Sequence, residues 1–402
     1  MLVAFLVWRG VLPAVSRVDS DFPNYYTSAK IVTEGKDVTR LYDDSWFQAQ
    51  IYAHGMNQEG KFSPFPPATA LIFLPLTVVD PLTALRIAVL INLALLALSI
   101  RFLSNLFSTP LHGSAIFTLL SGIGLANCFR LGQLYILLSF LVIAGYYAYT
   151  RKRKVLAGLS WGLFVPIKYY PIVILAYFGF RKEWKVAITG VVAASLVGLL
   201  GILILGWDVH KEYFSSVLGS HLGSHFSHQN PFSAAFQSWD SLLRRFFVYD
   251  PGLNPHPAFE STGLFLPLKM SILILQFIAG IGAILNVHRM GLVDPDAFSI
   301  GLLGLMALLL APGTATYHYV LLWLPVGLLF TFFYKNGQKR MAVFILGVYA
   351  VLGFIPYGVV RQFDGDGVLT LLAYPRLALL LAMFLLTIMT VWNRKVAENV
   401  QE

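Results

Sequence analysis

The chain has 402 residues, 57% of them hydrophobic and 12% charged, with a formal net charge of +9 and one cysteine. Soluble globular domains carry about 25% charged residues, so a water-soluble enzyme is excluded. A single cysteine, Cys128, leaves no disulfide framework and no cysteine-built metal site.

The opening "MLVAFLVW" has no basic leader and no small-residue cleavage site after it, so no cleavable signal peptide is expected. It is also short for a span, since a helix needs about 20 apolar residues to cross a bilayer. Residues 17–65 are polar and aromatic, with helical patterning around 22–34 and 43–57. "FSPFPPATALIFLPLTVVDP" at 62–81 reads as a half-span or interfacial element held between prolines. Spans follow at 82–103, 113–129 and 132–150. Over 155–180, Pro166, Lys168 and Pro171 split an apolar stretch in two, with basic clusters on both sides. That pattern predicts two half-helices that dip in and return; broken backbone at membrane depth is tolerated only inside protein or along a cavity. Further spans are expected at 186–206, 263–286, 297–311, 317–334, 341–360 and 368–392.

With this threading, "RKRK" at 151–154, "RKEWK" at 181–185, "KNGQKR" at 335–340 and "NRK" at 393–395 all fall on one side. Such clusters mark cytoplasmic ends of spans and are not a nucleic-acid signal. The two long polar segments, 17–65 and 207–262, fall on the other side as extracytoplasmic loops. The reading is an all-α polytopic membrane protein, one domain over 1–402.

Several polar residues could carry chemistry. Asp21 starts a helix and has Tyr25 one turn on; it is a cap or a general base, with Asp19 as rival. Gln133 in "RLGQL" is a helix-end residue or an amide at a cavity rim; Asn127 is a weaker case. Lys168 is costly inside an apolar segment, and either snorkels or faces an anion such as a lipid phosphate. His318 in "APGTATYHYV" belongs to an interfacial aromatic belt or donates to phosphate or a sugar hydroxyl. Arg244 and Arg245 have the chemistry to grip phosphate, or are solvated. His221, His225 and His228 share a helical face, but Gly223 and the lack of a supporting acid speak against zinc. "DGDG" at 364–367 lacks the downstream ligands of a calcium loop and reads as a turn. No Gly-rich phosphate loop or nucleotide fingerprint is present.

The ordered pieces "DFPNYYTSAKIVTEGKDVTRLY" (21–42), "FSPFPPATALIFLPL" (62–76), "RLGQLYILL" (130–138), "AGLSWGLFVPIKYYPIVIL" (157–175) and "APGTATYHYV" (311–320) together resemble glycosyltransferase family 87. These are polyprenol-phosphate-mannose-dependent mannosyltransferases of the GT-C membrane fold. The resemblance implies a bundle of about 9–11 transmembrane helices plus short half-helices, with a long first extracytoplasmic loop. It implies Asp21, not Asp19, as catalytic base, and substrate contacts through Tyr25, Gln133, Lys168 and His318, the last at the donor phosphate; Tyr25 either orients the base or stacks on the sugar. Arg244 and Arg245 are held in reserve as phosphate contacts. Two departures are the short first span and the second outer loop, which reads "HQNPFSAAFQS" where many members carry an Asn-Gln-Ser stretch.

The expected activity is inverting hexose transfer, with mannose implied by the resemblance. The donor is a polyprenyl-phosphate-linked sugar, and the acceptor is a lipid or glycan outside the plasma membrane. One base suffices for inversion, whereas retention needs a second carboxylate close by. No cofactor and no metal are expected. A transporter or lipid flippase shares broken helices and an intramembrane lysine, but the chain shows no inverted repeat. A scaffold with a dead site is the third reading.

Overall fold

A computed structural model describes residues 1–222, 230–364 and 367–399. The described residues are mostly helical, with one isolated β-bridge between Asp250 and Asn254 and no strands among them. Helices cover most of the predicted spans, but the one expected at 341–360 ends at Phe354, and the one expected at 368–392 starts at Pro375 after a 3-10 turn. Among the described residues five helices, or six with the bent pair, are long and apolar enough to span, where about 9–11 were expected. By length and composition, Pro81–Phe107, Trp184–Leu205, Thr262–Arg289, Thr316–Lys335 and Pro375–Asn393 are each able to cross a membrane. Leu111–Leu119 and Gly122–Arg130 form a bent pair, with 78° between them. The expected spans at 132–150 and 297–311 are shorter helices, Tyr135–Thr150 and Pro295–Leu309. The first begins just after a left-handed glycine at 132; the second starts at a proline and stops before Pro312-Gly313. The Trp184–Leu205 helix leaves Ile188, Val191, Leu196, Leu199 and Leu203 more than half exposed. In water such a face would be unsupported; against lipid it needs no partner. The protein is a multi-pass membrane protein.

Packing divides the chain into two units where the sequence reads as one domain. Residues 1–119 and 125–227 form one, and 120–124 with 228–402 form the other.

In the first unit, the Phe22–Thr33 helix is buried along nearly its whole length. The proline-rich stretch after it supplies the cover, as turns and two 3-10 pieces, Pro67–Leu71 and Leu74–Leu76. Lys61 N–H donates to Asn24 Oδ1 (2.9 Å), Tyr26 Oη to the Val79 carbonyl (2.7 Å) and Lys30 Nζ to the Thr77 carbonyl (3.1 Å). Phe73 meets the rings of both Phe22 and Tyr25.

The segment expected to dip and return has that form. Lys154–Gly162 and Ile172–Phe180 are nine-residue helices joined by turns through 163–171. At 1.5 Å per residue each is about 14 Å long, half a bilayer core. Lys154 Nζ and Glu183 Oε2 are 2.6 Å apart, which brings the two ends of the hairpin together. Trp161 stacks on Phe178 (5.1 Å, 12°) and donates its indole N–H to the Val142 carbonyl (3.1 Å). The first half-helix packs on Trp184–Leu205 at Gly158 and Gly162, where an added Cβ would collide with Val186 and Gly190 backbone oxygens.

In the second unit, Pro295–Leu309 packs on Trp323–Lys335, and that helix on Lys339–Phe354. The second long loop is pinned by Gln237. Its backbone N–H donates to the Thr314 carbonyl (2.9 Å), its amide to the carbonyls of Ala234 and Ala373, and its Oε1 accepts from Arg376 N–H (3.0 Å).

Candidate functional site

Asp21 occupies the N-cap position of the Phe22–Thr33 helix, yet its side chain makes no capping hydrogen bond. The carboxylate turns instead to Gln133, which lies 112 residues away in sequence: Gln133 Nε2 donates to Asp21 Oδ2 at 2.6 Å. Gln133 Oε1 accepts from Tyr25 Oη at 2.8 Å. Capping, one of the two readings left open by the local pattern, is therefore not what the side chain does. Asp19 is engaged differently. Its Oδ2 pairs with Arg130 Nε at 3.1 Å and its Oδ1 accepts the Ser20 N–H at 3.0 Å.

Gln133 arrives at Asp21 through the end of the Gly122–Arg130 helix. Gly132 N–H bonds to the Phe129 carbonyl and Gln133 N–H to the Cys128 carbonyl, the paired pattern of a Schellman cap, which requires a left-handed residue. Gly132 supplies it, with φ +64°. The absent side chain matters as well: a Cβ there would lie 2.7 Å from Phe22 Cδ2 and 3.1 Å from Leu85 Cδ1. The turn can thus press against the residue next to Asp21.

Burial pushes the Asp21 carboxyl above its ordinary range, because the charged form loses water. The Gln133 hydrogen bond and the positive charge of Lys168 oppose that rise; Asp19 adds to it and Arg130 opposes it more weakly.

Lys168 stands at the turn between the two half-helices. Its ammonium lies 4.4 Å from the Phe65 ring centroid and 5.3 Å from that of Tyr135. Among the described residues no carboxylate comes within ion-pair distance of it. Ring faces partly replace water around a cation, and the residue keeps some accessible surface. The arrangement is that of a cation open to an anion. Its neighbour Tyr169 hydrogen-bonds to the Tyr213 hydroxyl, tying the hairpin tip to the segment after Leu205.

The remaining candidates lie in the second unit. Arg245 is buried, with partners in its own loop and one carboxylate beyond it. Nε donates to the Phe232 carbonyl and one terminal nitrogen to the Leu253 carbonyl, each at 2.7 Å, while Asp364 pairs with it at 2.9 Å. Arg244 Nε pairs with Asp240 at 2.8 Å, and Lys269 pairs with the other oxygen of the same carboxylate. Asp240 and Lys269 are 1% and 5% exposed. Both arginines are thus paired within the protein. His318 Nδ1 accepts the Ala315 N–H at 3.0 Å, which places the proton of a neutral ring on Nε2. Asn127 lies in the Gly122–Arg130 helix. His225 and His228 of the zinc reading, and residues 365–366 of "DGDG", lie outside the described residues, as does the side chain of His221. Among the described residues no group of three or more His, Cys, Asp or Glu is placed to hold a metal ion.

Comparison with known families finds the model for glycosyltransferase family 87 matching residues 64–312. The chain belongs to this family. The family 87 match carries Gln133, Lys168, Arg244 and Arg245; Asp21, Tyr25 and His318 lie outside it. No curated protein and no solved structure matches the chain. Membership makes the protein a membrane glycosyltransferase, with a sugar donor and an acceptor as its substrates. Sequence reasoning did not single out Phe65 and Tyr135, the rings around Lys168, although both lie within stretches quoted for the resemblance. Nor did it find the second use of Gly132, for which a sequence carries no signal beyond the glycine itself.

Proposed function

We propose that this family 87 glycosyltransferase moves a hexose from a polyprenyl-phosphate donor to a lipid or glycan acceptor at the extracytoplasmic face of the plasma membrane, with inversion. Mannose is the sugar that the resemblance implies. Asp21 takes the proton of the acceptor hydroxyl, whose oxygen attacks the anomeric carbon. The bond from that carbon to the phosphate oxygen breaks, and polyprenyl phosphate leaves with the electron pair. Lys168 offsets the charge that grows on the leaving phosphate. Contact of His318 with the donor phosphate rests on the resemblance alone. Phosphate leaves readily, so the reaction is proposed to need no metal.

The observation that carries this reading is the Asp21 carboxylate held by Gln133 through Oδ2, with Oδ1 accepting no hydrogen bond among the described residues. A base works best with a pKa close to the working pH, and burial moves Asp21 in that direction. Arg244 and Arg245 are not part of the proposal, because both are buried and paired with carboxylates of the protein itself, Asp240 and Asp364.

The test compares Asp21→Asn with Asp19→Asn in sealed membranes of either orientation, supplied with labelled polyprenyl-phosphate mannose and assayed with and without chelator. Transfer should vanish in Asp21→Asn, persist in Asp19→Asn, require the outward face and ignore the chelator. Wild-type turnover in Asp21→Asn would remove the assigned base.

A further inference from the structure

We propose that Gln133, locked by Tyr25, is a positioning residue that holds Asp21 through Oδ2 and leaves Oδ1 to receive the acceptor proton. This rests on the reading of Asp21 as the base; it replaces substrate contact as the role of Gln133 and selects, for Tyr25, orientation of the base over stacking on the sugar.

Exposure decides against substrate contact: Tyr25 is 0% and Gln133 2% exposed. The direction of the hydrogen bonds is forced. An ionised carboxylate only accepts, so the amide nitrogen must face Asp21, and the amide oxygen is left for the tyrosine hydroxyl. The tyrosine ring cannot swing away. Phe65 lies 4.9 Å from it on centroids and Phe73 lies stacked at 5.5 Å and 16°. Every donor in the relay points toward the base, which favours its charged form. Among the described residues Asp21 Oδ1 accepts no hydrogen bond.

Other charges also bear on Asp21 and set the background. Lys168 comes from the hairpin tip, Arg130 from the Gly122–Arg130 helix and Asp19 from the preceding turn; Tyr135 on the next helix lies within reach of its charge. None of these is altered by substituting Gln133 or Tyr25.

The experiment measures kcat and KM against pH for wild type, Gln133→Met and Tyr25→Phe. Purified full-length enzyme is supplied with labelled polyprenyl-phosphate mannose and native membrane lipids as acceptor. For Gln133→Met the acid limb of kcat should move up by about one pH unit, with kcat lowered at least about tenfold and donor KM within about twofold. Tyr25→Phe keeps the ring packing and removes only the hydroxyl; it should shift the limb in the same direction by less. An unmoved acid limb with a raised KM would make these residues substrate contacts and overturn the proposal. If Gln133→Met does not yield folded protein, an unmoved limb in Tyr25→Phe overturns it alone. Full activity of Asp21→Asn is a separate result: it would reject the base itself, whatever the relay does.

Discussion

Replacing Gly132 by alanine tests how Gln133 is seated, and the chain carries its own control. Gly132 and Gly35 both have φ +64° and close helix ends with the same hydrogen-bond pattern, from Gln133 to Cys128 in one case and from Lys36 to Ile31 in the other. An alanine at either position bears a left-handed backbone, at about 1–2 kcal/mol. Both gain the same reduction in unfolded-chain entropy, about 0.4–1 kcal/mol. They differ in space. A Cβ at Gly35 meets nothing within 4 Å, whereas at Gly132 it meets Phe22 at 2.7 and 3.0 Å and Leu85 at 3.1 Å. Overpacking of this kind costs about 1–3 kcal/mol. Gly132→Ala should therefore unfold more easily than Gly35→Ala by that difference, because the other contributions cancel. Thermal unfolding in one detergent, with wild type alongside, reads the order directly. Only Gly132→Ala should also lower transfer, because relief of the clash moves Gln133 or Asp21. If Gly132→Ala melts with or above Gly35→Ala, close approach to Phe22 is not what fixes the turn.

Lys168→Ala should weaken donor binding roughly ten- to hundredfold, the loss of a charge-assisted contact of about 1.5–3 kcal/mol. It should also raise the acid limb of the pH profile, since the lysine charge holds Asp21 ionised; unchanged donor affinity would return Lys168 to a purely structural role. Asp240→Ala takes the shared carboxylate from Arg244 and Lys269, and breaking a buried pair costs about 3–5 kcal/mol. Asp37→Ala removes an exposed cap on Thr39 N–H and should cost about 1 kcal/mol. Equal melting of these two variants would show that the Asp240 cluster is not what holds the loop.

Much of the architecture was readable because membrane physics writes itself into long stretches. Apolar runs, basic clusters and the Pro166–Lys168–Pro171 interruption each report on many residues at once, and the hairpin emerged where they predicted it. The site was legible only as a set of residues. Local pattern made Asp21 an N-cap, and it occupies that position; where the carboxylate points is decided by Gln133, and no spacing rule links residues 112 apart. The arginine pair shows what residue type alone does not reveal. Residue type suggested phosphate, but the carboxylate one turn before Arg244 and the distant Asp364 had the stronger claim. Tyr25 was open to stacking on a sugar, and two phenylalanines occupy that place instead.

The Lys154–Glu183 contact that closes the hairpin has a consequence for biogenesis. Neither nine-residue half is long enough to partition into lipid as an independent stop-transfer or signal-anchor element, and both ends leave from one side. Seating of the segment is therefore expected to depend on the Trp184–Leu205 helix, which the first half-helix meets at Gly158 and Gly162. Substitutions at those glycines should displace the turn that carries Lys168 without changing the lysine itself.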